Sequence, residues 1–321
     1  MLKLNTLSGF GSGAAAAGVA GNAYFLGGHR SGIQQVTADK LVFATDTTTA
    51  VATANLNTAS SYSGFVSDAS TSGYVAGGSR NAGAKTDRTE KLVYATDTTA
   101  AEASADLTIV IDKPASTSDG LLAGYISGGY SDARISSTDK LVYATDTTAA
   151  EASADLTRAC SDMAGVSSAS AGYIGGGNTG GPYTVVVDKL VFATDTTAAE
   201  ASANLDTGTT THAGCSGDGV AGYFSGGYHH ATGTQDRTEK LVYATDTTAT
   251  VASAALTSAR YGMVGASDGS VNGYFAGGAA TIEDIEILAY ATDVMSATVA
   301  SRDLPTGTGR TNMSPLSSVS R

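Results

Sequence analysis

Four histidines, two cysteines and 30 carboxylates are the side chains of this 321-residue chain with which chemistry could be done. His229 and His230 are adjacent, while His29 and His212 stand far from them in sequence. Neighbours on an extended segment point to opposite sides, so the pair is a poor start for a zinc or copper site. Calcium needs several carboxylates converging on one bend. The Asp-Thr-Thr segments that recur here supply one each and read as turn caps. No metal and no cofactor is expected. Glycosidases need two carboxylates at a set separation, whereas the carboxylates here recur in step with one another, as structural or solvating groups do. The chain is therefore expected not to be an enzyme. Cys160 and Cys215 occupy non-equivalent places in the recurring pattern, so they are expected to be unpaired, with Cys215 buried.

The elements that would position these groups follow from a repeat. An aromatic residue followed by paired glycines begins at Tyr24, Tyr74, Tyr125, Tyr173, Tyr223 and Tyr274, at spacings of 50, 51, 48, 50 and 51 residues. A second block follows in step: DKLVFATDTT from Asp39, EKLVYATDTT from Glu90, DKLVYATDTT from Asp139, DKLVFATDTT from Asp188 and EKLVYATDTT from Glu239. The sixth copy has drifted to EILAYATDV, from Glu286. A small-residue run ending in Leu comes third. Periods of about fifty residues with four short strands mark propeller blades.

The fold class is all-β: a six-bladed β-propeller with four antiparallel strands per blade. Strand A is of the type at 262–266 and strand B is Tyr-x-x-Gly-Gly. Strand C is Lys-Leu-Val-Tyr-Ala-Thr, and strand D is the small-residue run. Blades are expected at about 4–56, 57–107, 108–156, 157–205, 206–256 and 257–304. Either residues around Ala14–Ala20 or the stretch Arg310–Leu316 would complete the first blade as its strand A; Pro315 suits a central strand poorly, which favours the N-terminal segment and leaves 305–321 as a C-terminal arm. With 40 glycines, no tryptophan and 7% aromatics, thin sheets with small side chains between them are expected. The recurring glycines read as packing devices at a crowded ring centre.

An apolar-aromatic strand ending in Gly-Gly, a variable loop, a Tyr-bearing strand, a turn and a fourth strand resemble the kelch repeat, over about residues 4–304. The tryptophan of the kelch last strand is missing throughout. The uniform GYxxGG…DKLVYATDTT units are also similar to kelch-like repeats of bacteriophage and bacterial surface proteins. That resemblance implies a non-enzymatic interaction module. It would be a phage tail or fibre component, or another surface component, that binds a cell-surface glycan or a neighbouring virion protein. It would be located on a virion or an extracellular surface. The alternatives are a cytoplasmic kelch-type scaffold and a propeller enzyme acting on carbohydrate. A formal net charge of −12 argues against nucleic acid as partner, and no segment approaches the ~20 apolar residues of a membrane span. The Gly- and Ala-rich stretch behind Met1 reads as part of the repeat rather than a secretory signal. Attachment or homo-oligomerisation would use the C-terminal arm.

Antiparallel blades put the A–B and C–D turns on one face of the disc, and the B–C and D–A connections on the other. The second face receives variable sequence on a constant scaffold, which is where binding surfaces live. Its B–C loops carry His29, Arg30, Arg80, Tyr130, Arg134, Tyr183, Tyr228, His229 and His230; its D–A connections add His212, Arg260 and Tyr261. The first face would be strongly acidic, holding the aspartates of the ATD blocks together with Glu102, Glu151 and Glu200. Adjacent Asp/Glu-Lys residues on strand C face opposite sheet surfaces. Each Lys is therefore expected to meet a carboxylate of the next blade, with Ile287 breaking the series.

Overall fold

Six four-stranded antiparallel sheets stand side by side around a common axis in the computed structural model, which describes residues 21–279, 282–296, 300–305, 307 and 309–319. The third blade is typical: strands Ala115–Ser118, Ala123–Ser127, Thr138–Val142 and Thr147–Ala150 pair in chain order. Strand A lines the axis. Strand B is buried on both faces between blades, strand C alternates buried Leu with half-buried Lys, and strand D carries exposed Thr and Ala at the rim. Strand C ends one residue before its aromatic, at Val42, Val93 or Val142. The aromatic opens a four-residue turn that ends on the ATD aspartate at φ near +52°, which Asp tolerates better than most residues.

The seams between blades repeat one arrangement. The strand-B tyrosine of one blade stacks on the turn aromatic of the next, as in Tyr24–Tyr94 and Tyr74–Tyr143, with ring centroids 5.5 and 5.6 Å apart. All six seams have this stack. The same tyrosine donates its hydroxyl to the turn aspartate of the next blade, Tyr24 to Asp97 at 2.5 Å, and the facing lysine joins it, Lys40 Nζ to Asp97 at 2.9 and 3.0 Å. Lys91, Lys140, Lys189 and Lys240 repeat the contact with Asp146, Asp195, Asp246 and Asp293. At the sixth seam Ile287 replaces Lys, and Tyr274 reaches Asp46 at 3.5 Å. The inter-blade ion pairs expected from sequence are thus present at five seams. Burial pushes the carboxyls of Asp146, Asp195 and Asp246 up, but the Lys and Tyr hydrogen bonds and the Lys charge outweigh it and hold them below the usual range.

The carboxylate beside each Lys points the other way and holds the connection leaving the previous blade. Glu90 accepts the Asn57 amide at 2.6 Å, and Asp139 the Thr108 amide at 2.8 Å.

Four expectations need correction. The arm at 305–321 is not free: Ser314–Val319 pairs antiparallel with Gly21–Leu26 and is strand A of the first blade, so the 4–304 boundary omits the strand that closes the ring. Strand A is an inner edge strand, so Pro315, opposite Phe25, costs no ladder bond on its channel side. The segment Ala14–Ala20 lies outside the described residues.

The paired glycines are not at the ring centre but at the far end of strand B. Gly27 has φ +62°, and a Cβ there would sit 2.5 Å from the Ser60 carbonyl oxygen. The strand-A glycines do crowd the axis as expected: a Cβ on Gly214 would lie 2.3 Å from the Gly165 oxygen. Glu102, Glu151 and Glu200 follow strand D and bond back to the start of strand C, which puts them at the B–C end. Finally, five ATD aspartates are paired with lysine, so the A–B/C–D face is far less acidic than its sequence suggests.

Replacing Lys140 by Met should remove a charge-assisted contact that is about three-quarters shielded from water. A loss of about 1 kcal/mol is expected, read as a fall in Tm of about 1–3 °C; an unchanged melting curve would show the ion pair to be without weight. Deleting residues 314–321 should open the ring, and circular dichroism is expected to show loss of the cooperative transition rather than a small shift.

Candidate binding surface on the loop face

The connections that leave strands B and D meet on one face, as the antiparallel order requires. Two B–C loops form small ribbons, His29–Arg30 against Ile33–Gln34 and Tyr228–His229 against Gly233–Thr234. His229 Nδ1 lies 2.8 Å from Thr232 Oγ1, which locks the ring to its own loop, and His230 is exposed. Arg30 is exposed and His29 half-buried. Arg80 is half-buried ahead of a short turn at Asn81–Gly83.

Four of the expected residues come together across successive blades. Tyr183 meets His230 and Tyr228 edge-on, at centroid distances of 6.1 and 6.4 Å, and Tyr228 meets Tyr261 at 6.0 Å. Tyr228 and Tyr261 are exposed and Tyr183 half-buried. The result is an aromatic arc supplied by two B–C loops and one D–A connection. A second group lies around Tyr130, whose ring has Lys85 Nζ at 4.8 Å and the Arg134 guanidinium at 5.9 Å.

His212 and Arg260 do not belong to the surface. His212 is 6% exposed and packs beside Gly176 and Phe224, in the place taken elsewhere by Met163, Met263 and Met313. Burial lowers its pKa to about 4, so the ring is neutral. Arg260 is 1% exposed and bonds Glu286 at 2.7 Å, clamping the last two blades together; Arg310 makes the matching contact with Asp39 at 2.5 Å across the closing seam. Both His212 and Arg260 lie on surface connections, which is why the sequence alone places them on this face. The residues aligned with them, Met163 and Cys160, are apolar types, which is the signal the sequence holds, and both are buried.

Sequence reasoning missed a ring at the axis. Tyr62, Lys113, Asp162, Thr211, Gly262 and Asn312 occupy one equivalent position, just before strand A, in six connections. All six are left-handed, with φ between 52° and 68°. Each donates its amide to the carbonyl of the preceding member, at 2.7 to 3.1 Å, closing a hydrogen-bonded circle. Six different residues therefore stand on one repeated backbone. On the opposite side of this circle a channel of about 470 Å³ runs between the A strands, walled by Phe65, Pro315 and strand-end serines.

Other chemistry is sparse. Cys160 and Cys215 are both free and buried, and burial pushes their thiols up to about 11 and about 12. Gly265-Ala266-Ser267-Asp268-Gly269 has the spacing of a nucleophile elbow, yet Ser267 ends a strand A with no helix behind it and accepts the Tyr290 hydroxyl at 2.8 Å. Among the described residues no three His, Cys, Asp or Glu side chains gather as metal ligands, and no helix is long and apolar enough to cross a membrane. The fold is that of a six-bladed β-propeller. No protein-family model and no curated protein matches the chain.

Arg260→Ala should cost about 3 kcal/mol in chemical denaturation, because it strands a buried carboxylate. Tyr261→Ala, its exposed neighbour, should stay within about 0.5 kcal/mol of wild type. Equal costs would refute the division into clamp and surface.

Proposed function

We propose that this protein is a non-enzymatic interaction module whose loop face binds a glycan on a surface. The observation that carries this reading is the arc Tyr261–Tyr228–Tyr183–His230. It crosses three blades of a scaffold whose strands are nearly identical, and it is built from residues that packing of the blades does not require. Flat rings with a polar edge suit the apolar faces and hydroxyls of sugars. Half-buried Lys and Arg around Tyr130 extend the same face with hydrogen-bond donors. A kelch-like role on a phage tail or fibre, or on a bacterial surface, agrees with this arrangement, and the bound partner would be a host-cell glycan.

The experiment is a glycan array probed with the full chain and with Tyr183→Ala/Tyr228→Ala. The wild type should bind a set of glycans. The double variant should lose about tenfold or more in affinity with its melting curve unchanged. Retained binding in that variant would remove the arc from consideration.

A further inference from the structure

The axial ring combines one left-handed backbone with six unrelated side chains. Seams, turns and strand-B tyrosines are repeated around the circle because each serves the same packing role. The ring positions share a backbone and a hydrogen-bond pattern but none of their side chains. Packing alone gives no reason for six departures at one position.

Their polar atoms are incompletely used. Lys113 Nζ lies 5.2 Å from the centre of the Tyr62 ring and 3.8 Å from an Asp162 oxygen, too far for a hydrogen bond, and none of its three N–H groups bonds another described residue. The Tyr62 hydroxyl is likewise without a bond to a described residue. Asp162 has a side chain only 9% exposed, accepts one bond from Ser161 Oγ at 2.9 Å, and has acceptor capacity to spare. Asn312 donates to Thr311 Oγ1 at 3.0 Å, which leaves its carbonyl oxygen open. Burial raises the Asp162 carboxyl against the pull of Lys113, and burial followed by the charge of Asp162 raises Tyr62. These groups surround a dimple of about 80 Å³. The Asn312 amide packs over Gly262, its Oδ1 3.1 Å from where a Cβ would stand, and the exposed Tyr261, near enough to Tyr62 to act on its hydroxyl, belongs to the arc.

The geometry points to a second, unassigned subsite: an uncharged terminal sugar of the glycan sits over the axis, held by Tyr62, Lys113, Asp162 and Asn312, while the arc takes the units behind it. This rests on the glycan reading of the loop face. The class follows from the charges. A lysine and an aspartate side by side present a donor set and an acceptor set that vicinal hydroxyls satisfy together, since each hydroxyl both donates and accepts. A sugar carboxylate would have to lie against Asp162. At about 80 Å³ the dimple takes one edge of a pyranose, and a terminal unit presents such an edge with its neighbouring hydroxyls free.

The test uses the full chain on an array of neutral, sialylated and uronate-bearing glycans, followed by isothermal titration with the best neutral glycan found. Asp162→Asn keeps shape and suits a left-handed backbone, as Asn312 shows. Tyr62→Phe removes only a hydroxyl and serves if Asp162→Asn melts early. Each is expected to weaken binding of a neutral glycan about tenfold without altering Tm. Wild-type affinity in both, with binding lost in Tyr183→Ala/Tyr228→Ala, would overturn the axial subsite and leave the arc standing. Preference for sialylated or uronate-bearing glycans would overturn the uncharged class. No glycan bound at all would overturn the loop-face reading and the subsite with it.

Discussion

The seam between neighbouring blades is the contact on which the rest depends. A propeller sheet is a narrow four-stranded ribbon that buries both faces only against its neighbours, so the ring is as firm as its weakest seam. Each seam joins a stacked aromatic pair to a Tyr hydroxyl and a Lys ammonium on one Asp. The Asp can serve both because its left-handed turn aims the carboxylate back across the gap. The stack removes apolar area from water, and the polar pair above it sets register, since a one-residue slip of strand C would send Lys to the wrong sheet face. This explains why the block from Lys to the ATD turn barely varies, and why a protein with few large side chains still holds a defined core.

The last two seams are built differently. Ile287 removes the ammonium from one, and the closing blade is assembled from both ends of the described chain. In the same region Arg260 with Glu286, and Arg310 with Asp39, form fully buried ion pairs. Pairs of this kind add little net stability but penalise misplacement strongly, because a stranded charge in the interior is costly. They act where the chain must choose the correct partner strand, so their value lies in closing the ring in register.

Much of this was legible in sequence, because the period and the strand pattern follow from repeated local chemistry. The spacing of the Tyr-x-x-Gly-Gly units announced the blades, and the Asp/Glu-Lys alternation announced inter-blade pairs, with Ile287 as the exception. Closure was not legible. Whether a terminal segment near residue 14 or one near 314 fills the first blade is a long-range matter, and Pro315 misled because strand A is an edge facing a channel, not a central strand. The loop face was half legible. Tyr183, Tyr228 and Tyr261 were found by their position, yet His212 and Arg260 lie on the same connections and point inward.

The axial ring shows what comparison between repeats passes over. Comparison between copies finds what is constant, and here constancy measures packing. The position before strand A is constant only in backbone: six left-handed residues joined in a circle of amide bonds, a geometry that carries Tyr, Lys, Asp, Thr, Gly and Asn alike. A scaffold that fixes the main chain while leaving the side chain unconstrained lets recognition change without touching stability. The strands carry the folding problem, and the axis and the arc beside it are the places where chemistry could diverge.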